Sequence, residues 1–192
     1  MVEPPVAMSP LAGLPAPSGR APDIDLTERP FLVKLTLRGD TADGGFTIAA
    51  ARALGLAPPA QPGNGVQDGS LTILCLAPDE WLVVSEPGAH DLVARLREPL
   101  AGRHAAAVDV SCATATITVS GSRAALLLRK ICSIDLARQE SRGRCCWQTR
   151  IGPFAVLIHR RAADQGFDLH VMRSYARSFW LWLNDAAAEF GT

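Results

Sequence analysis

Residues 114–122 have the sequence Thr-Ala-Thr-Ile-Thr-Val-Ser-Gly-Ser, and they lead directly into Arg-Ala-Ala-Leu-Leu-Leu-Arg-Lys-Ile at 123–131. In the first stretch threonines alternate with Ala, Ile and Val, a pattern that predicts a strand over 114–119 with one buried face. The Ser-Gly-Ser turn then precedes a helix predicted over 124–131, with Ser122 as its N-cap. A strand, a tight turn and a helix in direct succession indicate a domain that mixes both kinds of element.

The same signals recur on both sides of this stretch. They predict further strands at 31–38, 71–76, 81–84, 106–110, 145–149, 154–159 and 167–171, and further helices at 46–54 and 90–96. Within the first strand, Phe31, Val33 and Leu35 point to one face and Lys34 to the other, as in a half-buried strand. Residues 57–70 are rich in Pro, Gly, Asn and Asp, which is typical of an exposed loop.

The chain ends in a helix that Ser174 can cap and Gly191 can terminate. One face of this helix is apolar and comprises Tyr175, Phe179, Trp182, Leu183, Ala186, Ala187 and Phe190. Because strands and helices are mixed without a regular alternation, we predict an α+β fold with an antiparallel or mixed sheet and flanking helices. Two βαβ-like halves are apparent, without a residue-level repeat.

Composition excludes several classes of protein. Lys and Arg number 19 and Asp and Glu number 19, so the chain lacks the excess of cations that nucleic-acid binding requires. Residues 1–26 contain six prolines and predict a disordered leader, and residues 27–192 form the folded domain. The N-terminus lacks the basic region of a signal peptide, and no apolar run approaches the roughly 18 residues of a membrane helix. We therefore expect a soluble protein.

The cysteines and histidines show no metal-site spacing. The five cysteines are odd in number and include no CxxC, which predicts reduced thiols in a cytoplasmic protein. Cys145 and Cys146 are adjacent in a predicted strand, where neighbouring side chains point to opposite faces and cannot share an ion. The four histidines have no spacing that places a pair on one face; they are His90, His104, His159 and His170.

No catalytic set is apparent either. Ser111 and Cys112 follow Asp109, but no GxSxG elbow surrounds them. Basic residues before Cys132 could lower the pKa of its thiol, although core packing explains this position more simply. For Asp109 we favour capping of the turn through the amides of Ser111 and Cys112 over a ligand role. A single glycine, Gly121, is too few for a phosphate cradle. We therefore predict no catalytic, cofactor-binding or metal residues in this chain.

The tryptophans suggest a second apolar surface. Trp182 belongs to the core face of the last helix, Trp180 lies at its border, and Leu181 projects from the otherwise polar side. An apolar face wider than the core requires is typical of a surface that a partner covers. A generous core is the alternative interpretation.

Several short blocks, taken in order, resemble the γ subunit of heterotetrameric sarcosine oxidase. They include Ala77-Pro78-Asp79-Glu80-Trp81-Leu82, Val108-Asp109-Val110-Ser111 and Trp180-Leu181-Trp182-Leu183, with others at 27–31, 37–40, 119–124, 134–136, 143–145, 148–149 and 173–176. Together they extend over nearly all of the chain from Thr27 to Gly191 and leave the proline-rich leader outside. The blocks at 108–111 and 119–124 also resemble the folate-binding fold of aminomethyltransferase, the glycine-cleavage T-protein, to which the γ subunit is related.

The resemblance implies a non-catalytic γ subunit that packs mainly against the large α subunit, in a complex with β and δ subunits. It implies that FAD, FMN, NAD, tetrahydrofolate and zinc are held by the other subunits. The complex would oxidatively demethylate sarcosine to glycine, hydrogen peroxide and formaldehyde or 5,10-methylenetetrahydrofolate. A sister complex acting on another N-methyl amino acid, or a free-standing folate-dependent aminomethyltransferase-like protein, are the alternatives.

The chain departs from the T-protein-like pattern just after Ser111. Residues 112–116 are Cys-Ala-Thr-Ala-Thr, where a more polar, Asp-Gly-Arg-like stretch is expected. This argues against an inherited folate contact in the loop and leaves Asp109 as the residue to test for a relic of that site.

Overall fold

The computed structural model describes residues 7–14, 23–140, 143–161 and 166–191. Its strands are β1 (Asp25–Glu28), β2 (Val33–Arg38), β3 (Gly65–Asp68), β4 (Leu71–Ala77), β5 (Glu80–Ser85), β6 (Ala106–Asp109), β7 (Thr114–Ser120), β8 (Cys146–Ile151), β9 (Phe154–Arg160) and β10 (Phe167–Met172). Its α-helices are α1 (Gly44–Leu54), α2 (Leu92–Arg97), α3 (Ala124–Ile131), α4 (Leu136–Glu140) and α5 (Ala176–Ala188). The predicted α+β class is confirmed.

The strands form two five-stranded sheets in which every described pairing is antiparallel. The first sheet has the order β3-β4-β5-β2-β6, and the second has the order β8-β9-β10-β7-β1. The two orders correspond strand by strand. In each half one strand (β2 or β7) leads into a helix, and three further strands (β3 to β5 or β8 to β10) follow. The last place is filled by β6 in the first sheet and by the N-terminal β1 in the second. The two halves therefore repeat one topology, and the second sheet is completed by a strand from the N-terminal end of the chain.

Helices cover the outer face of each sheet. Phe46, Ala50 and Leu54 of α1 are buried against the first sheet, together with Leu92 and Leu96 of α2. The second sheet is covered by α3 and α5, and a third apolar cluster lies between the two sheets. That cluster comprises Leu32, Leu74, Leu82, Val84 and Cys146. The inner faces of the sheets thus face each other, so that β2 is buried on both faces at Val33, Lys34 and Leu35.

Most predicted elements are confirmed with shifted ends. Helix α1 begins at Gly44, where the Asp43 carboxylate accepts the Gly45 amide at 2.8 Å, and ends at the left-handed Gly55. The predicted cap of α3 was wrong, because the Ser122 hydroxyl donates to Asp23 at 2.9 Å instead. Helix α5 begins at Ala176 without a side-chain cap, after a 3₁₀ turn over Arg173–Tyr175 that contains Ser174.

Three strands or helices were not predicted, and one of them is the N-terminal strand β1. The segment 57–70 contains β3, a short edge strand over Gly65–Asp68 that pairs with β4, so its interpretation as loop was wrong there. A short helix, α4, occupies Leu136–Glu140. No helix in the described part of the chain combines the length and hydropathy that crossing a bilayer requires.

Part of the predicted leader packs against the domain. Leu11 is buried among the core residues of the second sheet, and the Ser9 hydroxyl donates to the Glu28 carboxylate. The Arg173 guanidinium donates to the backbone oxygen of Met8 at 3.0 Å. Strand β1 begins at Asp25, two residues before the predicted domain boundary. Ile24 and Leu26 of the predicted leader belong to the same core and Leu14 packs against it, so the apolar side chains of this stretch are set among its prolines and small residues.

Candidate functional site

A buried polar layer lies between the sheets, beside the apolar cluster. Its members from the second sheet are Thr116, Thr118, His159, Asp168 and His170, and Lys34 of β2 enters it from the first. The strand register brings the five residues of the second sheet together, since Asp168 is opposite both Thr118 of β7 and His159 of β9. These residues alternate with the core residues of the same strands and therefore share the inner face of the sheet.

Asp168 is the centre of this layer, with a side chain only 2% exposed. One carboxylate oxygen accepts the Thr118 hydroxyl at 2.6 Å, and the other accepts the Arg29 guanidinium. Arg29 also binds Glu86, and the Arg161 Nε lies 3.8 Å from Asp168. The buried carboxylate is thus compensated by two guanidinium groups and a hydroxyl.

The pKa values of both histidines of the layer are lowered. Burial lowers the pKa of His159 to about 4, although the charge of Asp168 opposes this shift. Burial also lowers the pKa of His170 well below its ordinary value, and the nearby Lys34 charge adds to the effect. The His170 Nδ1 lies 3.0 Å from the Thr116 hydroxyl, while its Nε2 has no hydrogen-bond partner within the described residues.

His159, Asp168 and His170 form a trio whose potential ligand atoms lie within 4.8 Å of one another. The expectation that no two histidines share a face was therefore wrong, because β9 and β10 place this pair side by side. A metal ion here would compete with Arg29 for Asp168 and would leave the guanidinium next to a second positive charge. We interpret the trio as part of an ion-pair network rather than as a metal centre.

Lys34 is buried although the sequence placed it on an open face. Its Nζ donates to the backbone oxygen of Thr114 at 2.7 Å and to the Thr114 hydroxyl at 3.1 Å. Burial lowers the pKa of Lys34 to about 8, and Asp168 opposes that shift most strongly. No carboxylate of the described residues lies within 4.0 Å of its ammonium group. The sequence pattern missed this residue because the packing of one sheet on the other is not visible in the alternation of β2.

A cavity of about 340 Å³ adjoins Lys34. Ser111 and Cys112, both singled out from the sequence, line it together with Met8 and Phe31. The Ser111 hydroxyl accepts the backbone amide of Lys34 at 3.0 Å, so it is held by backbone and not by a base. Cys112 is the exposed cysteine among the five, all of which are free.

Asp109 lies outside this cavity at the exposed end of β6. Its carboxylate accepts the Ser111 amide at 2.8 Å, which confirms the predicted capping of the turn for that amide. The hydrogen bonds from Ser111 lower the pKa of Asp109.

The remaining cysteines are packing residues. Cys132 closes α3, and burial raises the pKa of its thiol despite the basic residues before it. Cys146 begins β8 and lies between the sheets, while Cys145 precedes the strand. The predicted separation of these two thiols onto opposite strand faces was therefore wrong, and a hydrogen bond between them, donated by Cys146, lowers the pKa of Cys145 and raises that of Cys146.

The tryptophans belong mainly to the core. Trp180 is only 6% exposed and belongs to the core, while Trp182 is half-buried against it, so the predicted core and border positions of these two residues are reversed. Leu181 is 56% exposed, as predicted. Trp81 is fully buried, and its ring nitrogen donates to the backbone oxygen of Pro59 at 2.7 Å. Among the large apolar side chains of α5, only Leu181 is exposed, so the predicted second apolar surface on this helix consists of that residue.

The glycine of the Ser-Gly-Ser turn has a packing role. Gly121 has φ +101°, and a Cβ there would overlap the backbone oxygen of Asp23. The turn thus needs glycine so that the chain leading into β1 can approach it closely.

Comparisons with known proteins agree with one another over the length of the chain. The model of the sarcosine oxidase, gamma subunit family matches residues 38–189. Sarcosine oxidase subunit gamma of Corynebacterium sp. strain P-1 is 30% identical over 184 residues, which cover 95% of this chain and 89% of that protein. The same subunit of Corynebacterium sp. strain U-96 is 31% identical over 168 residues, or 87% and 80% of the two chains.

Two solved structures extend this agreement to the backbone. A chain of the heterotetrameric sarcosine oxidase from Corynebacterium sp. U-96 in complex with pyrrole 2-carboxylate superposes with a TM-score of 0.85 at 29% identity, covering 97% of each chain. The glycine cleavage system aminomethyltransferase T from Bartonella henselae superposes with a TM-score of 0.62 at 16% identity, covering 84% of this chain and 45% of that one. The second likeness shows a shared fold.

Proposed function

This chain belongs to the sarcosine oxidase gamma subunit family, and we propose from this premise that it is the non-catalytic γ subunit of a heterotetrameric sarcosine oxidase. The observation that carries the proposal is the backbone agreement with a chain of such an enzyme, over 97% of both chains. A subunit that keeps its relative's fold from end to end is suited to the same place in an assembly.

The proposal assigns the chemistry to the other subunits. The complex would demethylate sarcosine oxidatively to glycine, hydrogen peroxide and formaldehyde or 5,10-methylenetetrahydrofolate, with FAD, FMN, NAD, tetrahydrofolate and zinc held outside this chain. The polar residues of this chain support that division, because Asp168 is occupied by Arg29 and Thr118, and Ser111 is held by backbone. A carboxylate bound in this way is already compensated and is not poised to accept a substrate proton.

The proposed partners are the α, β and δ subunits, with the main contact to α, in the cytoplasm. Several large apolar side chains support a covered surface, since each of them is about half exposed or more. They are Met8, Phe31, Ile48, Val108, Leu126, Met172, Tyr175 and Leu181. Burying such side chains in an interface would recover hydrophobic free energy that a free monomer forgoes.

Co-expression with candidate flavoprotein subunits tests the proposal. We expect this chain to co-elute with the flavin absorbance in size-exclusion chromatography, and the complex to release hydrogen peroxide when sarcosine is added. Omitting this chain should lower the yield of assembled complex without changing the flavin spectrum of the α and β subunits. Other N-methyl amino acids, tested in parallel, distinguish a sarcosine oxidase from a sister enzyme.

The purified γ chain alone serves as the control and should show no turnover of sarcosine. A chain that remains monomeric beside intact flavoprotein subunits would contradict the proposal, as would sarcosine turnover by the γ chain alone.

A further inference from the structure

The cavity beside Lys34 has the dimensions and lining of a small-molecule site. Its volume of about 340 Å³ lies near the lower end of the range usual for ligand pockets. The walls are largely apolar and include Pro30, Leu32 and Ala115. Met8 and Phe31 also line it and are 67% and 52% exposed, so the cavity reaches the surface.

The charges around the cavity are not balanced. Arg29, Lys34 and Arg173 line it together with one carboxylate, Glu28, which already accepts the Ser9 hydroxyl. Arg29 is neutralised by Asp168 and by a second carboxylate outside the cavity. Lys34 is the buried cation, and the described contacts satisfy two of its three N–H donors. The third donor of this buried ammonium has no partner among the described residues, and Lys34 lines the cavity.

A buried ammonium without an adjacent counterion is costly, and a methionine in its place would fill similar space at lower cost. Phe31 adds to this cost, because it has φ +61° and remains exposed. Bulky residues adopt such a conformation only under constraint, and such constraint is typical of ligand sites. Both features oppose stability and coincide at the same cavity.

We propose that this cavity binds a small apolar carboxylate, with the Lys34 ammonium as its counterion and the walls formed by Pro30, Leu32 and Ala115 as its apolar contact surface. A carboxylate supplies the missing negative charge, and an apolar body matches the lining. Cys112 provides a chemical reporter of occupancy, because its thiol is exposed and lines the cavity.

The test uses the full chain and 2-naphthoate as the probe, with the neutral 2-naphthamide as its isosteric control. Occupancy is measured by the melting temperature and by the rate at which iodoacetamide alkylates Cys112, assigned by mass spectrometry. Cys145, outside the cavity, is the internal reference. We expect saturating 2-naphthoate to slow the alkylation of Cys112 about tenfold and to raise the melting temperature, with no such effect from the amide.

Two variants on β2 localise the binding. Lys34→Met removes the proposed counterion, and Arg38→Met removes the same charge from the exposed end of the strand, outside the cavity. We expect Lys34→Met to weaken 2-naphthoate binding tenfold or more, as for the loss of a charged hydrogen bond, and Arg38→Met to leave it within about twofold. The acid–amide comparison is made on the unaltered chain and stands even if Lys34→Met does not fold.

Equal binding of acid and amide would overturn the proposal, as would unchanged binding to Lys34→Met. The same measurement on the assembled oxidase supplies the last criterion. Binding to the free chain that disappears in the complex would assign Lys34 to a carboxylate of a partner subunit and would overturn the small-molecule site.

Discussion

Arg29 binds two carboxylates that differ in burial, and this pair permits a direct test of the polar layer. The side chain of Asp168 is 2% exposed and that of Glu86 is 51% exposed. We consider the substitutions Asp168→Asn and Glu86→Gln, which each remove one negative charge and keep the shape of the side chain. The expected difference between them follows from burial alone.

Removing one partner of a buried pair costs about 3–5 kcal/mol, because the other charge is left uncompensated. Arg29 keeps Glu86 in the Asp168→Asn variant, and the new amide can still meet Thr118, so we expect a loss of about 3 kcal/mol. For a domain of this length that corresponds to a decrease in melting temperature of about 6–12 °C. Glu86→Gln breaks an exposed pair, which is worth less than about 1 kcal/mol, or less than about 4 °C.

Urea unfolding followed by circular dichroism measures both free energies, and the melting temperature provides an independent estimate. Added salt should reduce the effect of Glu86→Gln and leave that of Asp168→Asn nearly unchanged, since water and ions screen only the exposed pair. Equal losses in the two variants, or a larger loss for Glu86→Gln, would refute the assignment of Asp168 as the centre of the layer.

Three further predictions concern titration and packing. Between pH 6.5 and 4, His159 is protonated in the unfolded chain but stays neutral in the folded chain, where its pKa is about 4. The free energy of unfolding should therefore fall by about 1.4 kcal/mol for each unit by which the pH is lowered in this range. Urea unfolding across the range should give a smaller slope for His159→Gln. Lys34→Met should be more stable than the native chain by about 1–2 kcal/mol at pH 7, because the folded native chain holds a charged ammonium that burial disfavours. This advantage should shrink as the pH rises from about 8 to 10.5, because the folded native chain loses the Lys34 proton in this range while the unfolded chain keeps it. Gly121→Ala should lower the free energy of unfolding by about 2–4 kcal/mol, because the new Cβ would overlap the backbone oxygen of Asp23. Gly88→Ala is the matched control, since Gly88 has φ +107° with open space around it, and should lower the free energy of unfolding by only about 1 kcal/mol. Equal melting temperatures for the two variants would contradict the packing role of Gly121.

The sequence predicted most elements because their signals are local. The alternation in β7 and β10, the glycine after α1 and the apolar face of α5 depend on neighbouring residues only. The strand β3 was missed because an edge strand of four residues, set among glycine, proline and asparagine, has no apolar alternation of its own. Its formation depends on pairing with β4.

The polar layer could not be predicted from local sequence patterns, for a different reason. Alternation placed Asp168 and His170 on one face of their strand, but it does not reveal the register that sets His159 opposite Asp168. The burial of Lys34 depends on a second sheet that covers β2. Asp109 and Ser111, by contrast, lie two residues apart, and their interaction was predicted from spacing.

The place of β1 at the edge of the second sheet affects how the chain can mature. Its pairing partner, β7, leaves the ribosome about 90 residues later, so the earliest strand to be synthesised waits for one from the middle of the polypeptide. The strands of the first sheet are consecutive in the sequence, whereas the second sheet takes β1 from the far side of the first half. Splitting the gene between the two halves would therefore leave the second sheet with an open edge. The polypeptide should accordingly unfold in a single cooperative transition, despite its doubled architecture.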